Sequence, residues 1–428
     1  MTTKKTIKSL CISATASNQG KTLLTTALLY HYRDSVRPFK IGQDFVDPQF
    51  HEFICGTPSI NLDTFIMNHK QVKWMFQHYS DKNISILEGV MGFYDGMDRG
   101  CSAYDVSKLL DTPTILLLDG SSSYITVSAI LYGLVNYRDN SIKAVVLNRL
   151  SSENHFELIK KQIEADFENI VVVGWIEKNL SSLKETHLGL DLNERKKIAE
   201  ISKEVLKHID IAIIDKVAKS SKVKNTPIKY PFPKIEKIHQ KLAIVKDKNF
   251  SFFYHDNLEY LKEIFEEVVI VDASQNEIIQ DDINSVIIAG GYVETNEAYE
   301  TLSKAHAFRA SLQKHALSKP IYAECAGLLY LSNSVDNKKM SGILDLNFTL
   351  HSRFQRLGYY YARRNRGHAF HYTNVVGEPK GGVDLLSKQI GSKGEIGSWS
   401  RDKIFGTYLH SMFRGNMEIL TIIIDKQL

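Results

Sequence analysis

Cysteine is scarce in this chain. Its four cysteines, Cys11, Cys55, Cys101 and Cys325, lie far apart along 428 residues and form no Cys-x-x-Cys pair. That spacing argues against a disulfide framework and against a structural zinc site, and it fits a reducing cytoplasm. Long apolar runs are also missing. Stretches such as "TILLL" and "SVIIAG" are strand-sized, well short of a membrane span, which argues against a membrane protein. Neither sign of charge dominates: 53 Lys and Arg against 49 Asp and Glu leave +4, with no dense basic block. Nucleic-acid binding gains no support from this balance, although local anion sites stay open. The N-terminus imitates a secretory signal, with Lys4, Lys5 and Lys8 ahead of Ala14-Thr15-Ala16. The intervening "SLCIS" is too short and too polar for a signal core, and Gly-Lys-Thr follows at once, so that reading is rejected.

What is present describes a globular protein of two or three domains: 43% hydrophobic and 24% charged residues over this length. The first half alternates apolar runs with amphipathic stretches, the signature of a parallel α/β sheet. Its candidate strands are "IKSLCIS", "ISILEGV", "TILLLD", "KAVVLN" and "IVVVGWI", with helices predicted for "GKTLLTTALLYHYR" and "ENHFELIKKQIEADF". After Asp215 the composition turns rich in Lys, Ser and Pro without a lasting period, which reads as a linker. Strand signals restart with "LAIVKD", "EVVIVDA", "SVIIAGG" and "PIYAEC", followed by turn-rich "RRNRGHAFHYT" and a closing "IFGTYLHSMF". The expected division is a nucleotide domain over 1–216, a linker over 217–240 and a second α/β domain over 241–428.

"SATASNQGKT", residues 13 to 22, has the outline of a phosphate-binding loop with most of its glycine removed. A strand precedes it and a helix opens near Gly20, whose unpaired N–H groups suit phosphate. Lys21 would reach the β/γ-phosphates of ATP, and the Thr22 hydroxyl would sit on Mg²⁺. The same triplet could merely start a helix. Two acidic stretches weigh against that: Asp44 and Asp47 around a turn, and Glu88 at a strand end with Asp95 in the Gly-rich loop beyond it. Both are expected at the carboxyl ends of strands, where open α/β sheets bind ligands. Carboxylates beside a triphosphate call for Mg²⁺, which takes oxygen ligands. Capping of helices or turns is the plainer role for any one of these aspartates.

In the second half, Cys325 falls between a strand and a predicted helix, a turn that holds a nucleophile exposed. His410 in "GTYLHSMF" is the candidate base, and Gly290 and Gly291 could offer N–H groups to an oxyanion. A buried core cysteine is the ordinary alternative.

These stretches resemble the cobyrinic acid a,c-diamide synthase family, glutamine-dependent amidotransferases of corrin biosynthesis. Lys40 to Pro48, Glu88 to Gly96, "VVLNRL" with Asn148 and "ETHLGL" with His187 match its synthetase half. Gly290 to Glu294, Tyr322 to Leu331, Gly367 to Thr373 and Tyr408 to Phe413 match its glutaminase half, in order. The resemblance covers nearly the whole chain. It implies a P-loop NTPase-like, dethiobiotin-synthetase-like domain followed by a class I-type glutamine amidotransferase domain. It also implies ATP, Mg²⁺, L-glutamine and a tetrapyrrole such as cobyrinic acid as ligands, in a cytoplasmic enzyme that could be a homodimer. Cys325, His410 and Asp95 are expected to be catalytic. Gly20, Lys21, Thr22 and Asn148 are expected on the nucleotide, with Asn148 in the base-recognising region, and Thr22, Asp44 and Glu88 on the metal. Asp47, Gly290 and Gly291 are expected on substrate. The chain departs from the family pattern at Ala14, Asn18, Gln43, Val293, Ala326, Ala369 and Met412. Asn18 is expected to tolerate a left-handed backbone and Ala14 to fit if its φ is negative; Ala369 is expected to be a tolerated loss of a carboxylate within a motif that faces the substrate or the domain interface. Another tetrapyrrole, such as hydrogenobyrinic acid or nickel-sirohydrochlorin, stays open as the substrate. So does a non-catalytic P-loop protein with an inactive amidotransferase module.

Overall fold

The computed structural model describes residues 7–178, 180, 185–186, 189–190, 195–222, 227–363 and 365–425. The chain forms two compact units, 1–231 and 232–428. The helix Ile211–Lys219 runs past the composition change at Asp215, and the first strand of the second unit starts at Ile238. No helix among the described residues is long and apolar enough to cross a membrane.

The first unit is built on seven parallel strands: β1 (Ser9–Ala14), β2 (Val36–Ile41), β3 (Ile60–Leu62), β4 (Ile84–Glu88), β5 (Thr114–Asp119), β6 (Ile142–Leu150) and β7 (Val171–Glu177). Their order across the sheet is β3-β2-β4-β1-β5-β6-β7. The apolar runs chosen from sequence are the strands β1, β4, β5, β6 and β7, buried on both faces as parallel strands between helices must be. β2 escaped notice because "VRPFKI" interrupts its apolar residues with Arg37, Pro38 and Lys40. All six of its residues are nevertheless buried. Tertiary pairing makes that affordable: Arg37 forms a two-pronged bridge to Asp81 at 3.0 Å, and Lys40 sits in a nest of carboxylates. The helix Lys21–His31 packs Leu24, Ala27 and Leu28 into the core with Leu10 and Ile12 of β1, which holds the preceding loop over the sheet's carboxyl edge.

The second unit carries a nine-stranded mixed sheet of β8 (Ile238–Val245), β9 (Phe265–Val271), β10 (Ser285–Ile288), β11 (Ile321–Glu324), β12 (Arg356–Ala362), β13 (Asn365–His371), β14 (Gly382–Ser387), β15 (Glu395–Arg401) and β16 (Ile404–Thr407). The order is β9-β8-β10-β11-β16-β15-β14-β12-β13, parallel as far as β16 and antiparallel beyond it. The stretch "RRNRGHAFHYT", taken as turn-rich, contains the edge strand β13. Its Gly367 is required there, because a Cβ would lie 2.2 Å from the His410 carbonyl oxygen.

Candidate functional site

Strands β2, β4 and β1 are neighbours, so their carboxyl ends bring the first-half motifs together. Gly20 stands at φ 91°, and a Cβ there would meet Asn148 Nδ2 at 2.5 Å. Asn18 adopts φ 59°, the left-handed angle that asparagine accepts, and Ala14 keeps a negative φ. The loop is braced from the end of β6. Asn148 donates from Nδ2 to the Gln19 carbonyl at 2.8 Å, and Arg149 donates to Asp119 at 2.6 Å and to the Asn18 carbonyl at 2.7 Å. Asn148 thus acts on the loop itself, a bracing role that the motif comparison had not suggested.

Lys21 is buried and donates from Nζ to the Ala16 carbonyl at 2.9 Å. Burial holds its pKa below the ordinary lysine value, with Glu88 opposing. Thr22 donates from Oγ1 to Glu88 Oε1 at 2.8 Å. The fully buried Glu88 is divided between partners: Lys40 Nζ lies 3.6 Å from Oε1, and His51 Nε2 lies 2.7 Å from Oε2. Lys40 also bridges Asp44 at 3.5 Å and is hydrogen-bonded to Asp47. Burial alone would lower the lysine pKa, but Asp47, Glu88 and Asp44 outweigh it and drive the value up. Asp47 is likewise pushed up by burial, yet Lys40 brings it down overall. Asp44 goes the other way, raised by burial and by the neighbouring Asp47. Its Oδ1 accepts the Val46 and Asp47 N–H groups at the start of the helix Val46–Cys55, the turn-shaping role weighed for it from sequence.

Asp95 closes its own loop, accepting the Gly92 N–H at 2.8 Å. That loop is laced to β1 by Gly89 N–H to Ile12 O at 2.9 Å and Phe93 N–H to Ala14 O at 2.8 Å. The approach explains Gly92, where a Cβ would stand 2.6 Å from both Asp95 Oδ2 and Thr15 O. Lys40 and His51 were not singled out from sequence, though both lie inside the matched stretch. No group of three or more His, Cys, Asp or Glu among the described residues is placed to hold a metal. His187 lies outside the described residues.

In the second unit Cys325 ends β11 and precedes the helix Ala326–Leu331, at φ 46° and ψ −104°. A non-glycine residue at such angles is strained, as at the turn that presents a nucleophile. Its N–H is held by the Thr407 carbonyl at 2.7 Å. His410 is buried beside Cys325, which acts on its imidazole, and its Nδ1 lies 3.2 Å from Glu324 Oε2. Burial would lower the imidazole pKa, but Cys325 and Glu324 raise it to about 9. Glu324 is a carboxylate that sequence reading passed over; its place beside the cysteine in "YAEC" was the available signal. It also accepts Tyr322 OH at 3.0 Å. This brings a nucleophile, a base and an orienting acid together at one turn.

The base is fixed from three further sides. His410 and His368 exchange main-chain hydrogen bonds of 2.8 and 3.1 Å, and their rings stack at 4.9 Å. His368 Nδ1 in turn meets Tyr254 OH at 3.0 Å. Gly290 gives the ring room: a Cβ there would stand 2.3 Å from His410 Cε1. Its N–H already donates to the Phe252 carbonyl at 3.2 Å, so space is the contribution of Gly290 that the geometry explains. Gly291, at φ 153°, leaves room for the Asn249 carbonyl, which a Cβ would approach to 2.1 Å. Arg356 lies over the Tyr408 ring at 5.6 Å, and His371 stacks on the same ring at 3.5 Å. Burial and Arg356 push His371 down to about 3. Within the Gly367–Thr373 motif, Ala369 itself is 0% exposed, pairs with Gly358 and belongs to this unit's own core, while its neighbour His368 faces His410.

Residues 241–417 match the CobB/CobQ-like glutamine amidotransferase domain, and residues 59–186 match an AAA domain whose match begins downstream of the Gly20–Thr22 loop. The class is therefore a glutamine amidotransferase joined to a nucleotide-binding unit. Cobyrinate a,c-diamide synthase of Saccharolobus solfataricus is 33% identical over 430 residues, covering 94% of each chain. That of Fusobacterium nucleatum is 33% identical over 404 residues, covering 86% of this chain and 89% of its own. The one from Caldanaerobacter subterraneus subsp. tengcongensis is 32% identical over 404 residues, 86% of each. The chain belongs to the cobyrinate a,c-diamide synthase family.

Proposed function

We propose that this protein converts the a and c acetate carboxylates of cobyrinic acid to amides, using glutamine and ATP, in the cytoplasm. The observation that carries the chemistry is Cys325 on a strained strand-to-helix turn beside a His410 that is hydrogen-bonded to Glu324. The family relationship supports the substrate. In the second unit Cys325 Sγ attacks the side-chain amide carbon of glutamine. His410, oriented by Glu324, delivers a proton to the departing nitrogen, and ammonia leaves. Water then attacks the γ-glutamyl thioester, giving glutamate and restoring the thiol.

In the first unit a substrate carboxylate oxygen takes the γ-phosphoryl group of ATP, because a free carboxylate is too poor an electrophile for ammonia. Ammonia adds to the acyl phosphate and phosphate departs. Lys21 and the loop N–H groups neutralise charge on the phosphates. The Thr22 hydroxyl and Glu88 carboxylate, 2.8 Å apart, are oxygen donors of the kind Mg²⁺ takes. Bound there, the ion would neutralise phosphate charge. Lys40 lies beside Glu88 and Asp47 and balances their charge. Asp47 and Asp95 stand at the same edge for the substrate. The test is mass spectrometry of cobyrinic acid incubated with enzyme, glutamine and Mg-ATP. Gain of two amides is expected. Amidation of a different tetrapyrrole alone would reassign the substrate, and none with any would overturn the proposal.

A further inference from the structure

The loop that leaves room for His410 continues to Glu294, a residue the mechanism above does not use. Lys338 donates from Nζ to the Glu294 main-chain carbonyl at 2.6 Å, which pins the backbone without a direct hydrogen bond to the carboxylate. One carboxylate oxygen, Oε2, is buried and has no hydrogen-bond partner among the described residues. Leaving a buried carboxylate oxygen unmatched is costly, so it marks a place where a donor is due. The residue also belongs to the wall of the glutaminase site. The loop that carries it runs past the base: Gly290 abuts the His410 ring, and Tyr292 meets Phe252 at 5.0 Å, which itself lies 6.4 Å from that ring. Burial raises the Glu294 pKa, with main-chain N–H groups and the nearby Lys338 charge opposing.

The donor can be named from the reaction. With the side-chain amide carbon of glutamine at Cys325 Sγ, the α-carbon lies three bonds away and carries an ammonium group. We infer that Glu294 receives the α-ammonium group of glutamine and is the residue by which the site distinguishes this amino acid from other primary amides. The inference rests on the reading of Cys325 as the glutaminase nucleophile. The distinction matters for this enzyme in particular. Its own product carries neutral acetamide side chains, and a thiol that accepted any primary amide would hydrolyse what the first unit had made. An ammonium-reading carboxylate excludes them, because an acetamide entering the site would leave that carboxylate unpaired.

The experiment compares glutamine with glutaric acid monoamide, which keeps the reacting amide and the carboxylate but lacks the amino group. Glutamate or glutarate release would be followed with wild type and with Glu294→Gln. The wild type should prefer glutamine by about 10- to 100-fold in kcat/KM, the range for a hydrogen bond to a charged group. Glu294→Gln should lose about that factor with glutamine, mainly through KM, and should handle the monoamide as the wild type does. Glu294→Asp, which keeps the charge on a shorter arm, should recover part of the preference. Thermal unfolding of the second unit, together with retained turnover of the monoamide, reports that the variants are folded. Equal losses on both amides, or no loss on glutamine, would overturn the assignment of Glu294 while leaving Cys325 in place. A wild type without any glutaminase activity would overturn the Cys325 reading and this inference together.

Discussion

Gly290→Ala is the smallest change that tests the geometry of the base. The added Cβ would lie 2.3 Å from His410 Cε1, 3.1 Å from Nδ1 and 3.2 Å from Phe252 Cβ. Carbon atoms rest at about 3.5 Å, so the imidazole would have to retreat by about 1.2 Å. It has nowhere to go cheaply. Its main chain is bonded in both directions to His368, its ring stacks on His368, and its Nδ1 faces Glu324. A displacement of about 1 Å at a catalytic group costs on the order of 10²-fold in rate. Glutamate release should therefore fall by about two orders of magnitude, while amidation driven by ammonium salt should be unchanged. Thermal unfolding of the same preparation separates misfolding from misplacement. If Gly290→Ala kept glutaminase turnover within about 5-fold of wild type, the placement of His410 against Gly290 would be wrong.

Lys21→Ala should abolish amidation with either nitrogen donor yet leave glutaminase activity intact, because charge stabilisation at the phosphates is lost in one unit only; retained amidation would remove Lys21 from the site. Gly20→Ala should also weaken nucleotide binding, measured by calorimetry, since the side chain collides with Asn148 at a left-handed φ; unchanged affinity would contradict the loop conformation. His371, pushed down to about 3, is a neutral buried histidine. Its contribution to stability is present above the unfolded pKa near 6.5 and is lost as pH falls below it, by about 2 kcal/mol at pH 5. His371→Asn should flatten the acid limb of the second unit's urea midpoint; parallel pH curves for variant and wild type would refute the assignment.

Much of this architecture was legible in the sequence because parallel strands buried on both faces read as plain apolar runs. β5 is such a run, and the motif residues Lys21, Glu88, Cys325 and His410 attach to strand ends that the runs locate. β2 was not legible because its polar residues are paid for only in three dimensions, by Asp81 for Arg37 and by three acids for Lys40. The antiparallel half failed for a related reason. β12 and β13 mix Tyr, Arg, His and Gly, and their pattern makes sense only once Gly367 is seen passing the His410 carbonyl. Glu324 and His51 were visible as letters but not as partners, since each is defined by a residue distant in sequence. The burial of Ala369 was not legible either, because strand alternation on β13 turns it to the core while His368 beside it meets the base.

The account stands on two sites joined by ammonia, and Cys325→Ser tests that most directly. The substitution keeps the side-chain shape but replaces a readily ionised thiol with a hydroxyl that is hardly ionised near neutral pH. With cobyrinic acid and Mg-ATP, product would be counted by mass spectrometry in the presence of glutamine and, separately, of ammonium salt at mildly alkaline pH. Glutamine-dependent amidation should fall by orders of magnitude while ammonium restores the diamide. Undiminished use of glutamine, or no product from either nitrogen source with the wild type, would contradict it.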